Sequence, residues 1–154
     1  RAYGNPGVMP TWNRSDTRAT PVLKYSWRDA VGALTDMPDE NASPFDDLIV
    51  EYVNPLNGGP LMPTLACFLQ RLRPGCRTER HRHTSSTVYV GARGGGTLVV
   101  GDHCFDWEEG DVLSLPSWCW HAHENRSGAE DAILFSVTDT PTLKALNLYR
   151  EERD

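Results

Sequence analysis

Two short histidine motifs, each a pair of histidines separated by one residue, constrain this chain more than any other feature. The segment "HRH" contains His81 and His83, and "HAH" contains His121 and His123. Side chains alternate across a β-strand, so both members of each pair lie on one face of their strand. If the two strands are neighbours in one barrel, four imidazoles converge on its interior. The two pairs together therefore predict a metal site inside a β-barrel.

One such pair alone is weak evidence, because solvated edge strands also carry histidine. The flanking Arg80 and Arg82 would lie on the opposite face of their strand, towards solvent or a partner. The fifth histidine, His103, lies in the turn-like segment "GDHC", where a surface position is the simpler interpretation. The metal hypothesis therefore depends on the two pairs meeting in one structure.

The middle of the chain is typical of an all-β domain. Strand-like segments are separated by turns rich in Gly, Asp and Asn, such as "GARGGG", "EEGD" and "ENRSG". The predicted strands are "LIVEYV", "TLACFLQRL", "STVYV", "TLVV", "DVLSL", the stretch around "WHAH", and "AILFSV". Several short strands with regular turns predict an antiparallel sandwich or barrel, and 154 residues suit one such domain.

The two ends of the chain have different patterns. Residues 1–24 are polar, aperiodic and interrupted by prolines, so we expect an extended arm outside the barrel core. The segment "YSWRDAVGALTDM" predicts a short helix with Ser26 as its N-cap. The segment "DTPTLKALNLYREE" predicts a closing helix that begins near Pro141. The expected organisation is an N-terminal arm or connector with a short helix (1–45), a barrel (46–139) and a C-terminal helix (140–154).

Charge and composition narrow the classes of function. The formal net charge of -6 disfavours nucleic acid as a partner. No apolar run approaches the length of a membrane span, so we expect no membrane association. The four cysteines have no C-x-x-C spacing and are expected to be buried thiols of a cytoplasmic protein. Because the chain begins with Arg1, we expect a fragment or a processed product.

Two segments resemble the cupin motifs. "GCRTERHRH" (residues 75–83) is similar to the start of the first motif, which would end at Gly95. "GDVLSLPSWCWHAHEN" (residues 110–125) is similar to the second motif, with Trp118 in place of the usual glycine. The matching positions of the second motif are Gly110, Pro116, His121 and Asn125. The resemblance implies an all-β fold, a single cupin (jelly-roll) barrel with a metal held inside.

The same resemblance implies a ligand set. Many cupins place a glutamate ligand shortly after the first histidine pair, but Val88 occupies that position here. The implied ligands are therefore His81, His83 and His121, which are all neutral. They leave coordination positions open and the charge of a dication uncompensated, which favours an anionic, chelating substrate. His123 is interpreted as a fourth ligand or as a catalytic acid or base next to the substrate.

Several segments narrow the resemblance to one family. "EYVNPLNGGPLMPT", "PSWCWH" and "ALNLYREE" are similar to the gentisate 1,2-dioxygenase family, which includes salicylate and 1-hydroxy-2-naphthoate dioxygenases. These enzymes are bicupins, and the likeness is to their C-terminal half. The resemblance implies Fe(II), with Zn or Ni as alternatives in purified protein. It also implies an aromatic hydroxy acid and O2 as substrates, and a second cupin domain or a homo-oligomer as partner. The ring would open between the carboxyl-bearing and hydroxyl-bearing carbons.

One departure from the family keeps a second function open. In the first barrel of such bicupins an arginine eight residues after the first histidine holds the substrate carboxylate, and here that residue is Tyr89. Tyr89, Trp118 and Trp120 are the expected substrate-contacting residues. The alternative is a non-catalytic, metal-binding cupin that stabilises a bicupin or dimer. A third hypothesis is a different cupin reaction, such as sugar isomerisation or thiol oxidation.

Overall fold

The computed structural model describes residues 24–154. The predicted arm (1–24) therefore lies outside the described residues, except for Lys24. The helices are α1 (Trp27–Thr35), a 3-10 helix (Asp39–Asn41) and α2 (Thr140–Ala145). The strands are β1 (Leu48–Tyr52), β2 (Ala66–Leu72), β3 (His81–His83), β4 (Thr87–Arg93), β5 (Gly95–Val100), β6 (His103–Glu108), β7 (Val112–Leu115), β8 (His121–Glu124), β9 (Ala132–Thr138) and β10 (Glu151–Arg153). Within this range, no helix has the length and apolarity needed to cross a membrane.

The strands form two five-stranded sheets with the orders β1-β2-β9-β4-β7 and β10-β3-β8-β5-β6. All strand pairs are antiparallel. Strands distant in sequence are neighbours in both sheets, as expected for a jelly roll. The prediction of an all-β, jelly-roll fold is confirmed. The sheet order also brings β3 and β8, which carry the histidine pairs, next to each other.

The hydrophobic core follows from the alternation of side chains along the strands. On β9 the adjacent residues Ile133 and Leu134 are both buried but face opposite sides of the sheet. Leu134 belongs to the cluster between the two sheets, together with Leu72, Leu98, Trp107 and Leu115. Ile133 belongs to a second cluster, where it meets Leu34 of α1 together with Leu48 and Leu69. The first sheet is therefore covered on both faces, by the second sheet and by α1.

Helix α1 occupies the predicted position. Ser26 is its N-cap with an extended backbone, although its hydroxyl makes no capping hydrogen bond. Leu34 is fully buried against the sheet, whereas Trp27 remains 43% exposed. Ala30 and Val31 also pack against this cluster, so the helix contacts the sheet through residues beyond its first turn.

The predicted C-terminal helix over 140–154 is much shorter in the structure. Helix α2 ends at Ala145, and Asn147 adopts a left-handed backbone with φ 58°. Residues Glu151–Arg153 instead form β10, which pairs with β3. The physical reason is that β3 would otherwise lie at the edge of its sheet with unpaired backbone groups. Pairing with β10 satisfies these groups, at the expense of leaving Leu146 and Leu148 exposed.

Candidate metal centre

Three histidines from two neighbouring strands converge in the interior. His81 of β3 lies directly opposite His121 of β8 in the strand register. The ring centroids are 4.2 Å apart for His81 and His121, 5.0 Å for His83 and His121, and 5.7 Å for His81 and His83. One nitrogen from each ring lies within 4.8 Å of the other two. The structure therefore brings the three predicted ligands together in a group that could hold a metal ion.

Hydrogen bonds to the backbone orient two of these rings. The Nδ1–H of His121 donates to the carbonyl oxygen of Cys119 at 3.0 Å. Nδ1 of His83 lies 2.9 Å from the carbonyl oxygen of Ser85 and 2.9 Å from its hydroxyl oxygen. Each bond fixes the tautomer, so that the Nε2 lone pair is free to bind a metal ion. Such support of a ligand ring by the backbone is typical of histidine metal sites.

The electrostatics of the cluster also suit a cation. Burial, reinforced by the neighbouring imidazoles, lowers the pKa of His81 to about 4 and the pKa of His121 to about 2. Both rings are therefore neutral at pH 7. Within the described part of the chain, the buried Nε2 of His121 has no hydrogen-bond partner, which is costly in the protein interior. A metal ion would supply this partner, so the residues present fit one.

His123 lies close to this cluster but does not belong to it. Its ring is fully buried, 6.0 Å from the ring of His121 and edge-on against the ring of Tyr89 at 5.1 Å. Burial lowers its pKa to about 3, and neither ring nitrogen has a partner among residues 24–154. His123 thus lies in the interior, but its ring packs beside Tyr89 rather than among the three clustered nitrogens.

A cavity of about 240 Å³ opens over the cluster. It is smaller than the roughly 300–1,000 Å³ of sites for drug-sized ligands, so it suits a small molecule. His81, His83 and Tyr89 contribute to its wall. Five hydroxyl side chains also line it: Ser85, Thr87, Ser136, Thr138 and Thr140. Three residues with ionisable side chains also line it: Asp46, Lys144 and Glu151.

Tyr89 is 6% exposed, and burial raises the pKa of its phenol. At neutral pH this residue is therefore a neutral hydrogen-bond donor on the cavity wall.

Trp118 and Trp120, predicted to contact substrate, lie elsewhere. The guanidinium of Arg82 stacks over both indoles, 4.4 Å and 4.7 Å from the ring centroids. Arg82 lies between His81 and His83 on β3, so strand alternation directs it away from the cavity. In this structure the two indoles contact Arg82 and do not line the cavity, so a contact of Trp118 or Trp120 with substrate stays a prediction. Trp118 also has φ 64°, a left-handed conformation that explains why glycine is usual at this position.

Several cavity residues were missed by the sequence reasoning. Asp46 lies just before the first predicted strand, and only the folded chain brings it to the cavity. Lys144, Tyr149 and Glu151 were assigned to the closing helix. In a strand, the spacing of two residues between Tyr149 and Glu151 places both side chains on one face.

The barrel and its paired histidine motifs define the chain as a cupin. A family model described as "Cupin domain" matches residues 68–138. The chain is 47% identical over 134 residues to a 5-aminosalicylate 1,2-dioxygenase of Comamonas sp, covering 86% of this chain and 35% of that protein. It is 40% identical to a 1-hydroxy-2-naphthoate 1,2-dioxygenase of Nocardioides sp. (strain KP7), covering 94% of this chain and 37% of that protein. It is 35% identical to a gentisate 1,2-dioxygenase of Aquipseudomonas alcaligenes, covering 99% of this chain and 43% of that protein.

The fold is also similar to that of a solved structure from the same group of enzymes. The salicylate 1,2-dioxygenase from Pseudaminobacter salicylatoxidans superposes with a TM-score of 0.81 and 30% sequence identity, covering 97% of this chain and 44% of that one. The chain belongs to the gentisate 1,2-dioxygenase family of cupins. It spans 35–43% of the length of these three curated relatives, as one cupin of a two-cupin protein would.

Proposed function

We propose that this chain is an iron(II)-dependent ring-cleaving dioxygenase of hydroxylated aromatic acids, or one part of such an enzyme. The observation that carries the proposal is the convergence of three imidazole nitrogens, within 4.8 Å of one another, beside a small polar cavity. The related proteins named above, which act on gentisate, salicylates or hydroxynaphthoate, support this substrate class. His81, His83 and His121 are the proposed ligands. Iron(II) is the proposed metal, with Zn or Ni as alternatives in purified protein.

In this proposal the protein holds and orients the substrate. Iron(II), when bound, supplies the redox chemistry with O2 and open positions for a carboxylate and the neighbouring hydroxyl. The protonated phenol of Tyr89 donates a hydrogen bond to the substrate, and Lys144 offers a positive charge on the cavity wall. Both atoms of O2 enter the product as the ring opens between the two substituted carbons. For gentisate this product is maleylpyruvate.

We propose a positioning role for His123. Its ring contacts Tyr89 edge-on and is fully enclosed, so it can act on the substrate through Tyr89. This differs from the expectation that His123 is itself the catalytic acid or base.

The second candidate function is a non-catalytic cupin that stabilises a bicupin or dimer. Two features favour it. Tyr89 replaces the positive charge that would clamp a substrate carboxylate, and Asp46 and Glu151 place acidic groups on the same cavity wall. These groups oppose the binding of an anionic acid. A bidentate clamp fixes the substrate pose, and misplacement alone can cost on the order of a hundredfold in rate.

The proposed organisation follows from the fraction of its relatives that the chain covers. We propose residues 46–139 as the main part of the barrel, 1–45 as a connector and 140–154 as a C-terminal segment whose strand β10 completes the second sheet. The functional unit would then contain a second cupin domain, in a longer chain or in a homo-oligomer.

The test is metal analysis of anaerobically purified protein, followed by oxygen-uptake assays of the Fe(II)-loaded chain. Gentisate, salicylate, 5-aminosalicylate and 1-hydroxy-2-naphthoate are the substrates. His121→Ala is the control without a complete ligand set. Oxygen uptake that requires both substrate and His121, with a ring-opened product, supports the enzyme. Substrate binding without uptake supports the structural cupin, and a chain that retains no metal contradicts both.

A further inference from the structure

The C-terminal strand β10 forms part of the site. In its pairing with β3, Glu151 lies directly opposite His83, and Arg153 lies opposite His81. Side chains of directly opposed residues lie on the same face of a sheet. Glu151 accordingly lines the same cavity as His81 and His83. A segment outside the two cupin motifs thus delivers a carboxylate next to the clustered histidines.

Two donors hold this carboxylate in place. Arg153 Nε donates to it at 2.9 Å and the Tyr149 hydroxyl donates to it at 3.0 Å. Both hydrogen bonds favour the ionised form of Glu151, because a charged acceptor binds such donors more strongly than a neutral one does. Glu151 therefore presents a carboxylate on the same face of the sheet as the clustered histidines.

A negative charge at this position would offset the positive charge of a bound metal ion, which the three imidazole ligands leave uncompensated. Imidazole ligands contribute no negative charge to a metal site, and Val88, at the position where many cupins carry a glutamate ligand, is 44% exposed on β4. A dication bound by these rings would lack a compensating anion from either histidine motif. We propose that Glu151, without joining the ligands, compensates the charge of the metal ion and strengthens its binding. This inference rests on the metal site of the proposed function.

Glutamine substitutions provide a matched test. Glu151→Gln and Glu152→Gln remove the same charge from adjacent positions of one strand. The Glu152 carboxylate pairs with Arg82 at 2.8 Å, on the side away from the cavity. The affinity of the metal-free full chain for Co²⁺ is measured by calorimetry and by visible absorption. We expect Glu151→Gln to weaken Co²⁺ binding about tenfold or more, similar to the effect of replacing other residues that surround metal ligands. We expect Glu152→Gln to change the affinity less than about twofold.

Two further measurements distinguish a charge effect from a structural defect. Glu151→Asp keeps the negative charge, so it should bind Co²⁺ more tightly than Glu151→Gln, which a purely structural defect in β10 would not produce. The difference in affinity between Glu151→Gln and wild type should also shrink as the ionic strength rises from about 0.05 to about 0.5 M. Thermal melts of the metal-free variants verify that each one folds, and Glu151→Ala replaces Glu151→Gln in the comparison if Glu151→Gln does not fold.

The outcomes are distinguishable. Equal Co²⁺ affinities for wild type, Glu151→Gln and Glu152→Gln would overturn the role of Glu151 and leave the metal centre intact. Equal Co²⁺ affinities for Glu151→Asp and Glu151→Gln, both below that of wild type, would also contradict charge compensation. Failure of the wild-type chain to bind Co²⁺ would overturn the metal centre itself, and this inference with it.

Discussion

Acid should destabilise the metal-free protein through its buried histidines. The pKa values of His81, His121 and His123 lie at about 4, 2 and 3 in the folded chain, compared with 6.5 for an unperturbed imidazole. Below pH 6.5 these three histidines therefore bind more protons in the unfolded chain than in the folded chain. The stabilisation from keeping these rings neutral is complete above pH 6.5 and declines as the pH falls towards the folded values.

The magnitude follows from the difference in bound protons. At pH 5 each of the three histidines reduces the free energy of unfolding by about 2 kcal/mol relative to high pH. Together they amount to about 6 kcal/mol, a large part of the roughly 5–15 kcal/mol that stabilises a typical domain. Between pH 6 and pH 5, each buried histidine should contribute a slope approaching 1.4 kcal/mol per pH unit.

The assay is urea unfolding of the chain in EDTA, followed by far-UV circular dichroism at several pH values. His121→Asn should lower the overall stability. It should also reduce the slope of the free energy of unfolding between pH 6 and pH 5 by about 1.4 kcal/mol per pH unit, because the unfolded variant has one fewer histidine to protonate. His103→Ala, which removes a histidine on an exposed strand position, is the control. Identical slopes for wild type and His121→Asn would show that burial does not keep this ring neutral.

Three further predictions concern the site and its surroundings. His121→Ala should reduce the metal content of purified protein strongly, since two ligands rarely hold a divalent ion, whereas His103→Ala should leave it unchanged in elemental analysis. Trp118→Gly should be more stable than Trp118→Ala by about 1 kcal/mol in urea unfolding, because only glycine adopts φ 64° without a Cβ penalty; the reverse order would contradict this. The Fe(II)-loaded chain should bind gentisate but cleave it weakly, and His123→Ala should reduce cleavage more than metal content. Rapid maleylpyruvate formation by the unmodified chain would refute the argument from Tyr89.

The strand pattern of the barrel could be predicted from the sequence because it depends on local geometry. Alternation along a strand fixes which side chains share a face, whichever strand lies next to it. This was enough to direct His81 and His83 to one side of β3 and Arg82 to the other. The cupin motifs added the expectation that β3 and β8 meet, and the sheet order has them as neighbours.

Features that depend on which distant segments of the chain pack together could not be predicted from strand alternation. The segment after Ala145 has a helical pattern of apolar residues, but the free edge of β3 offers hydrogen-bond partners that a helix could not satisfy. Trp118 and Trp120 were expected in the cavity, yet Arg82 is the partner that attracts them to the outer side.

The sequence by itself therefore determined the class of fold, the histidines that face inward and their neutral, nitrogen-only chemistry. The cupin motifs already implied His81, His83 and His121 as ligands, but only the tertiary structure decided that His123 packs against Tyr89 instead of joining them. It also decided that Asp46, Lys144 and Glu151 share one cavity with them. The physical reason is that side-chain direction is a property of a few consecutive residues, whereas a binding cavity is made by distant segments whose pairing depends on the whole chain.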